Sequence, residues 1–383
     1  MVNDQLAVVN RQSSIANRQS TAVDERYYLA SQWQLVWRKF GRHKLAVVSA
    51  VLLGLLYLVA LTFEFWAPYN PTAQHEDFLN AGPVRIHVFD SSGQFRWPFV
   101  YGLEGEIDFA TFTRVYTEDP ERIYPLRFFY RGEPYKFWGL WQTDLHFFGA
   151  EGEGHLFLLG TDNLGRDLFS RILAGSRISL TVGLVGVLLS FVLGCLLGGI
   201  SGYFGGVVDL IIQRVIEFMI SVPTIPLWMA LSAAVPPNWS PVKVYFAITI
   251  ILSIIGWAGL ARVVRGKLLE LRENDFVIAA KLAGAGDMQI IVEHLLPGFA
   301  SYLIVHLTLA VPNMILGETA LSFLGLGIQP PAVSWGTLLQ DAQNVQSIAV
   351  HPWMLTPALF VILAVLLFNF VGDGLRDAAD PYK

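Results

Sequence analysis

The sequence predicts an all-α polytopic membrane protein of six transmembrane helices, with a small β-rich extracytoplasmic insertion after the first helix. Three observations predict it. Of 383 residues, 54% are hydrophobic and only 15% are charged, where soluble chains carry about 25% charged residues. Six apolar segments approach the roughly 20 residues that cross a ~30 Å hydrocarbon core at about 1.5 Å per residue. Between the first two lies a long aromatic stretch that alternates like strands. A net charge of -5 gives no footprint for nucleic acid. The single cysteine, Cys195, excludes an intrachain disulfide and a cysteine metal cluster and reads as a small buried hydrophobe.

Residues 1–30 are polar and read as a mobile cytoplasmic tail, with NRQS at Asn10–Ser13 and again at Asn17–Ser20. Residues 31–66 hold an aromatic and basic stretch, Ser31–Lys44, and the first span, Leu45–Phe65. The stretch suits an interfacial helix, or an extension of the span with snorkelling Arg and Lys. The span does not read as a cleaved signal peptide, since Trp66-Ala67-Pro68 follows it with no small-x-small site. In the insertion, 67–177, VRIHVFDSSGQFRWPFV breaks at Asp90–Gly93 as a hairpin. RIYPLRFFYRGEPYKFWGLW reads as a second hairpin turning at Arg131–Pro134. The insertion either docks a soluble partner or caps the membrane helices. Residues 178–383 carry the other spans: Ile178–Ile200, Val207–Ala234, Val242–Val264, Tyr302–Gly317 (toward Phe323) and Trp353–Val371. Pro223 and Pro226 predict a kink in the third, and Pro312 and Asn313 interrupt the fifth.

Arg38, Lys39, Arg42 and Lys44 precede the first span, which places that end in the cytoplasm. Counting spans puts 67–177 outside, the 266–297 stretch inside and both termini inside. Arg262, Arg265, Lys267 and Arg272 at the exit of the fourth span agree. Polar groups inside spans are costly and face protein or water. Arg214 and Glu217 are three apart and read as a helix-end pair or a pathway element. Asn313, Glu318 and Ser322 read as an outer gate or pathway, or as a polar knot between packed helices.

No catalytic constellation emerges. Gly266-Lys267 fails the phosphate loop at Ala261 and Leu268. Gly284 and Gly286 lack the third glycine of a dinucleotide site, because position 289 is Gln. His75-Glu76 lacks a second histidine at Leu79, and the eight histidines form no ligand cluster, so no metal site is expected.

The stretch NDFVIAAKLAGAGDMQIIVEHLLP, Asn274–Pro297, resembles the cytoplasmic EAA loop of ABC-importer membrane subunits. Ala279, Ala280, Gly284, Leu296 and Pro297 match its spacing. Ile278 stands where the motif has Glu, a place that varies in peptide-type members. WRKFGRHKLAVV, LGTDNLGRDLFSRILAGSRISL, GYFGGVVD, ALSFLGLGIQPPAVSWGTLL and FNFVGDGLRDAADP, in that order, resemble the C-type subunit of the dipeptide/oligopeptide/nickel permease family.

The resemblance implies a type I ABC-importer permease fold and an inner-membrane subunit of a bacterial peptide importer. Its partners would be a second, homologous permease, one or two ABC ATPase subunits and an extracytoplasmic substrate-binding protein. ATP and Mg²⁺ would bind the ATPase, and no cofactor this chain. Docking would use Ala279, Ala280, Lys281, Ala283, Gly284, Ala285, Gly286, Asp287, Leu296 and Pro297. Ala279 and Ala283 lie one turn apart, as do Ala280 and Gly284, so a partner backbone can approach closely. Gly284–Gly286 permits a turn, Asp287 is expected to cap the next helix, and Pro297 to end it. A solvated helical hairpin would tolerate the same residues. Nickel chelates or oligosaccharides are alternative cargoes in this family. A proton-coupled carrier using Glu217 or Glu318, or a membrane-anchored receptor, is the rival from another class.

Overall fold

The computed structural model describes residues 32–108, 113–343 and 345–380. The expected tail at 1–30 lies outside the described residues. Helix α1, Gln32–Arg42, ends at His43, whose Nδ1 accepts from Ala46 N and starts α2, Lys44–Leu61. The basic stretch is therefore a separate helix and not an extension of the span. Phe40 is buried with Ala46, Val371 and Ala378, so α1 lies against the last helix of the chain. A short turn, α3, Phe63–Trp66, leads into the insertion.

The insertion is one antiparallel sheet in chain order: β1 His87–Phe89, β2 Phe95–Asp108, β3 Thr113–Phe137 and β4 Trp141–Ala150. The first hairpin turns at Asp90–Gly93, where Asp90 Oδ1 accepts from Ser92 N and Gln94 N. The second does not turn at Arg131–Pro134. That segment is an irregularity inside β3, and the turn comes later, at Trp138–Leu140. Pro134 has no N–H for the ladder, so pairing is interrupted there but the strand continues. Val84, Val100, Leu126, Ala150, Leu156 and Phe157 form the insertion's core.

Helix α4, Leu168–Phe204, is 37 residues long, about 55 Å at 1.5 Å per residue, so it outruns the bilayer. It starts ten residues before the expected span, because Asp167 Oδ2 accepts from Ser170 N as its N-cap. The third expected span is two helices, α5 Gly206–Ser221 and α6 Thr224–Ala233, set at 90°. The kink expected from Pro223 is thus a full break. Val222, held extended before that proline, ends α5. Helix α7, Pro241–Leu271, begins with proline at its first position. Then come α8, Asp275–Leu282, and α9, Asp287–Gln289. A π-turn (Ile290–Leu295) and a 3₁₀ turn (Leu296–Phe299) lead on into α10, Ala300–Phe323. Pro297 therefore does not end the helix. Its missing N–H is absorbed where the winding changes from wide to tight. Helices α11, Trp335–Asp341, α12, Val345–Val350, and α13, Thr356–Ala379, complete the chain. Among the described residues, five helical stretches can cross a membrane by length and composition, or six if α5 and α6 form one broken span.

Helices α4 and α7 meet along a glycine stripe. A Cβ added at Gly198 would lie 2.4 Å from Ala261 O, and one at Gly202 2.8 Å from Arg265 O. Such small residues let helix backbones touch inside a membrane.

Candidate functional site

The 266–297 loop is built from two arms on one apolar base. Helix α8 closes with Ala285 N donating to Ala280 O (3.0 Å) and Gly284 N to Lys281 O (3.0 Å), and Gly284 has φ +85°. This is a Schellman stop, which requires a left-handed residue and so glycine. Val277, Ile290, Ile291 and Leu295 bury their side chains against Tyr203, Leu260, Val264 and Leu268 of α4 and α7. Ala280 and Ala285 pack half-buried against the same base, as does Leu296. The opposite surface exposes Ala279, Lys281, Ala283, Gly284, Gly286, Asp287 and Pro297. It also exposes Phe276, Ile278, Met288 and Leu282, the last at 85%. An apolar side chain that open, on a loop held this firmly, is what a docking surface needs.

Tyr203 at the end of α4 holds both arms. Its hydroxyl donates to Asp287 Oδ1 (2.7 Å), and Lys281 Nζ lies 5.0 Å from its ring centre. Asp287 is consequently not the cap. Gly286 takes that place with extended backbone, and Asp287 is the first helical residue, where its charge still suits the helix N-terminus. Beneath the loop, Arg265 donates from Nε to Asp209 Oδ1 (2.5 Å) and from Nη2 to Asp209 Oδ2 (2.6 Å). Ser201 Oγ donates to the same carboxylate at 2.5 Å. These contacts tie α4, α5 and α7 together where the loop leaves the core.

The residues expected along the pathway separate into three places. Glu217 is exposed on α5 and pairs with Arg214 at 2.7 Å, away from the others. Glu318 is fully buried on α10; Ser179 Oγ donates to one carboxylate oxygen (2.8 Å) and Ser322 Oγ to the other (2.7 Å). Trp335 N donates in turn to Ser179 Oγ, and Ile328 N to Ser322 Oγ. The carboxylate thus knots α4, α10 and the start of α11. Gly327 and Gly336 crowd Ser322 so closely that an added Cβ would meet it within 2.6 Å. Asn313 sits elsewhere, on a cleft of about 420 Å³ between α4, α6, α7 and α10, with Ser190, Thr224, Trp228 and His306. His306 also borders a second cleft, lined by Tyr302, Asp373 and Arg376 between α10 and α13. The two clefts therefore share a wall.

At the other end of α4, Arg171 pairs with the buried Asp162 and lies 3.2 Å from Asp341. Asp162 also accepts from Arg166 Nε at 2.7 Å. The sequence singles out neither Ser179, Tyr203 nor the glycine stripe, and Arg265 stands out there only as a positive charge at the exit of the fourth span. The stripe had a signal, Gly194, Gly198 and Gly202 four apart. The pairings of Ser179 and Arg265 across the fold had none.

The family described as binding-protein-dependent transport system inner membrane component matches residues 172–382. The N-terminal transmembrane domain of oligopeptide transport permease C matches residues 31–83. Among curated proteins, an oligopeptide transport system permease protein OppC of Haemophilus influenzae is 44% identical over 230 residues, 60% of this chain and 71% of that protein. A dipeptide transport system permease protein DppC of Bacillus subtilis is 42% identical over 223 residues, 58% of this chain and 68% of that one. Among solved structures, an inward-facing MetNI methionine ABC transporter aligns at TM-score 0.44 and 20% identity, over 55% of this chain and 97% of that chain. The chain belongs to the binding-protein-dependent transport system inner membrane component family: it is a multi-pass, C-type permease subunit of an ABC importer, a transporter component rather than an enzyme, whose ATPase is a separate protein.

Proposed function

We propose that this chain forms half of a peptide path through the cytoplasmic membrane of a bacterium, with both termini in the cytoplasm and a second homologous permease as the other half. One or two ABC ATPases, which hold the ATP and Mg²⁺, dock on the 266–297 loop, and an extracytoplasmic binding protein delivers the cargo. The observation that carries this reading is the loop itself, exposed apolar and small residues on a base clamped by Tyr203. Its second arm runs on without a gap from Asp287 into α10. Asn313 is then about 40 Å along that path at 1.5 Å per residue. A shift of the loop driven by ATPase closure moves α10 and so reshapes the cleft, which is alternating access. The cargo assignment is supported by the relatives named as oligopeptide and dipeptide permeases. Asn313, Ser190 and Thr224 offer hydrogen bonds to amides beside the apolar Trp228.

The test is Leu282→Asp together with Gly286→Trp. Neither position needs its native side chain inside this chain: Leu282 is open, and Gly286 has φ -73° with nothing within 4 Å of an added Cβ. Each variant is expected to insert normally, lose the co-purifying ATPase and lose peptide uptake. Unchanged ATPase recovery would remove the docking role. Uptake that survives ATP depletion but not collapse of the proton gradient would favour the proton-coupled carrier.

A further inference from the structure

The β3–β4 hairpin ends in Phe137-Trp138-Gly139-Leu140-Trp141. Trp138 has φ +51° and Gly139 φ +73°. A bulky side chain in the left-handed region is strained, and such strain persists where something is gained from it. Trp138, Leu140 and Trp141 are 53%, 70% and 65% exposed, so packing within this chain is not the gain.

Two contacts fix where the tip lies. His146 Nδ1 is 2.6 Å from Ala67 O, just past α3. Trp138 Nε1 donates to Leu61 O at 2.6 Å, on the last residue of α2. From His146 to its tip, the hairpin therefore runs back along the chain from Ala67 to Leu61, toward the bilayer. Phe65 and Trp66 brace it there through Phe147, with ring centres 5.9 and 4.7 Å away. Arg177 binds the same level, donating to Leu61 O and Glu64. Below it, α2 exposes Leu52, Leu55 and Leu58, the side chains of a lipid-facing helix. The hairpin tip continues that apolar surface sideways at the height where the span ends. Tryptophan suits this level, with its ring in the acyl boundary and its N–H satisfied. Lys136, exposed beside the tip, suits lipid phosphates.

We infer that the β3–β4 tip is a membrane anchor, seated in the headgroup region of the leaflet away from the coupling loop. Trp138, Leu140 and Trp141 enter the lipid, and the insertion is pinned to the bilayer as well as to the helices. The inference rests on the membrane topology and not on the docking role of the loop.

The test uses the full chain in its assembled transporter, in nanodiscs of phosphatidylethanolamine and phosphatidylglycerol. In a Cys195→Ala background, Leu140→Cys carries an environment-sensitive fluorophore, and Glu121→Cys, on the charged part of β3, is the aqueous control. The label at 140 is expected to emit to the blue of the control and to lose more than half its emission in brominated lipid, with little quenching by iodide. Quenching by iodide and not by brominated lipid would overturn the anchor and leave the tip in water. Protection from both quenchers would also overturn it and assign the tip to another subunit.

Discussion

At one end of α4, Arg171 is sealed between Asp162 and Asp341; at the other, Tyr203 holds a loop whose upper surface is open. The first end pairs Arg166 and Arg171 with Asp162 and Asp341 within the chain. The second satisfies its polar groups within the chain but leaves Phe276, Ile278, Leu282 and Met288 uncovered. If the loop docks the ATPase as proposed, the contrast separates stability from coupling. Changes at the sealed end should cost folding, and changes at the open end should cost assembly while the chain still inserts.

Arg171→Ala should break the sealed end most severely. It leaves the Asp162 carboxylate, 1% exposed, with Arg166 as its remaining ion-pair partner. Removing one member of a buried pair costs about 3–5 kcal/mol. Thermal aggregation in detergent should set in far lower than for the unaltered chain, with poor recovery of inserted protein. A normal melt would show that Arg166 alone can hold the site.

Gly198→Leu tests the shaft between the two ends. A side chain there meets the Ala261 backbone, which cannot move aside as a flexible side chain can. Overpacking of this kind costs about 1–3 kcal/mol, so the melt should fall by less than in Arg171→Ala. Gly266→Leu, on the face of α7 with nothing within 4 Å, is the matched control and should leave the melt unchanged.

Tyr203→Phe keeps the ring under Lys281 and removes only the hydroxyl on Asp287. The lost bond is worth about 0.5–1.5 kcal/mol. The melt should barely move, while ATP hydrolysis in the assembled transporter should respond less to cargo. Coupling as tight as in the unaltered chain would mean that the apolar base alone transmits the motion.

The ends of α4 also differ in how far the sequence reveals them. Apolar length and the EAA spacing located the open end, because helix periodicity and a left-handed glycine are local properties. The sealed end was hidden, since Arg166 and Arg171 fall at the end of the 67–177 insertion and their partner Asp341 is remote. Glu318 stood out as a charge in an apolar run, but Ser179, its partner, is 139 residues away. The insertion shows the same limit. Neither family description reaches residues 84–171, and the turn at Trp138 violates the residue preference that turn prediction relies on.

Asp167→Asn tests the cap of the sealed end, and the size of its effect depends on pH. Asp167 is inaccessible and caps α4 through Oδ2, while Oδ1 has no hydrogen-bond partner among the described residues. Burial, with the nearby Asp162 adding to it, pushes its carboxyl up from 3.8 to about 7. The folded chain then keeps a proton that the unfolded chain releases between those two values. Stability is therefore favoured on the acid side of that window, falls as pH rises through it, and levels off above about 7. Asparagine caps equally well and carries no charge. The variant should match the unaltered chain at about pH 4 and melt higher at about pH 8, with a flatter pH dependence between. A lower melt at both pH values would mean that the ionised carboxylate is what α4 uses at its sealed end.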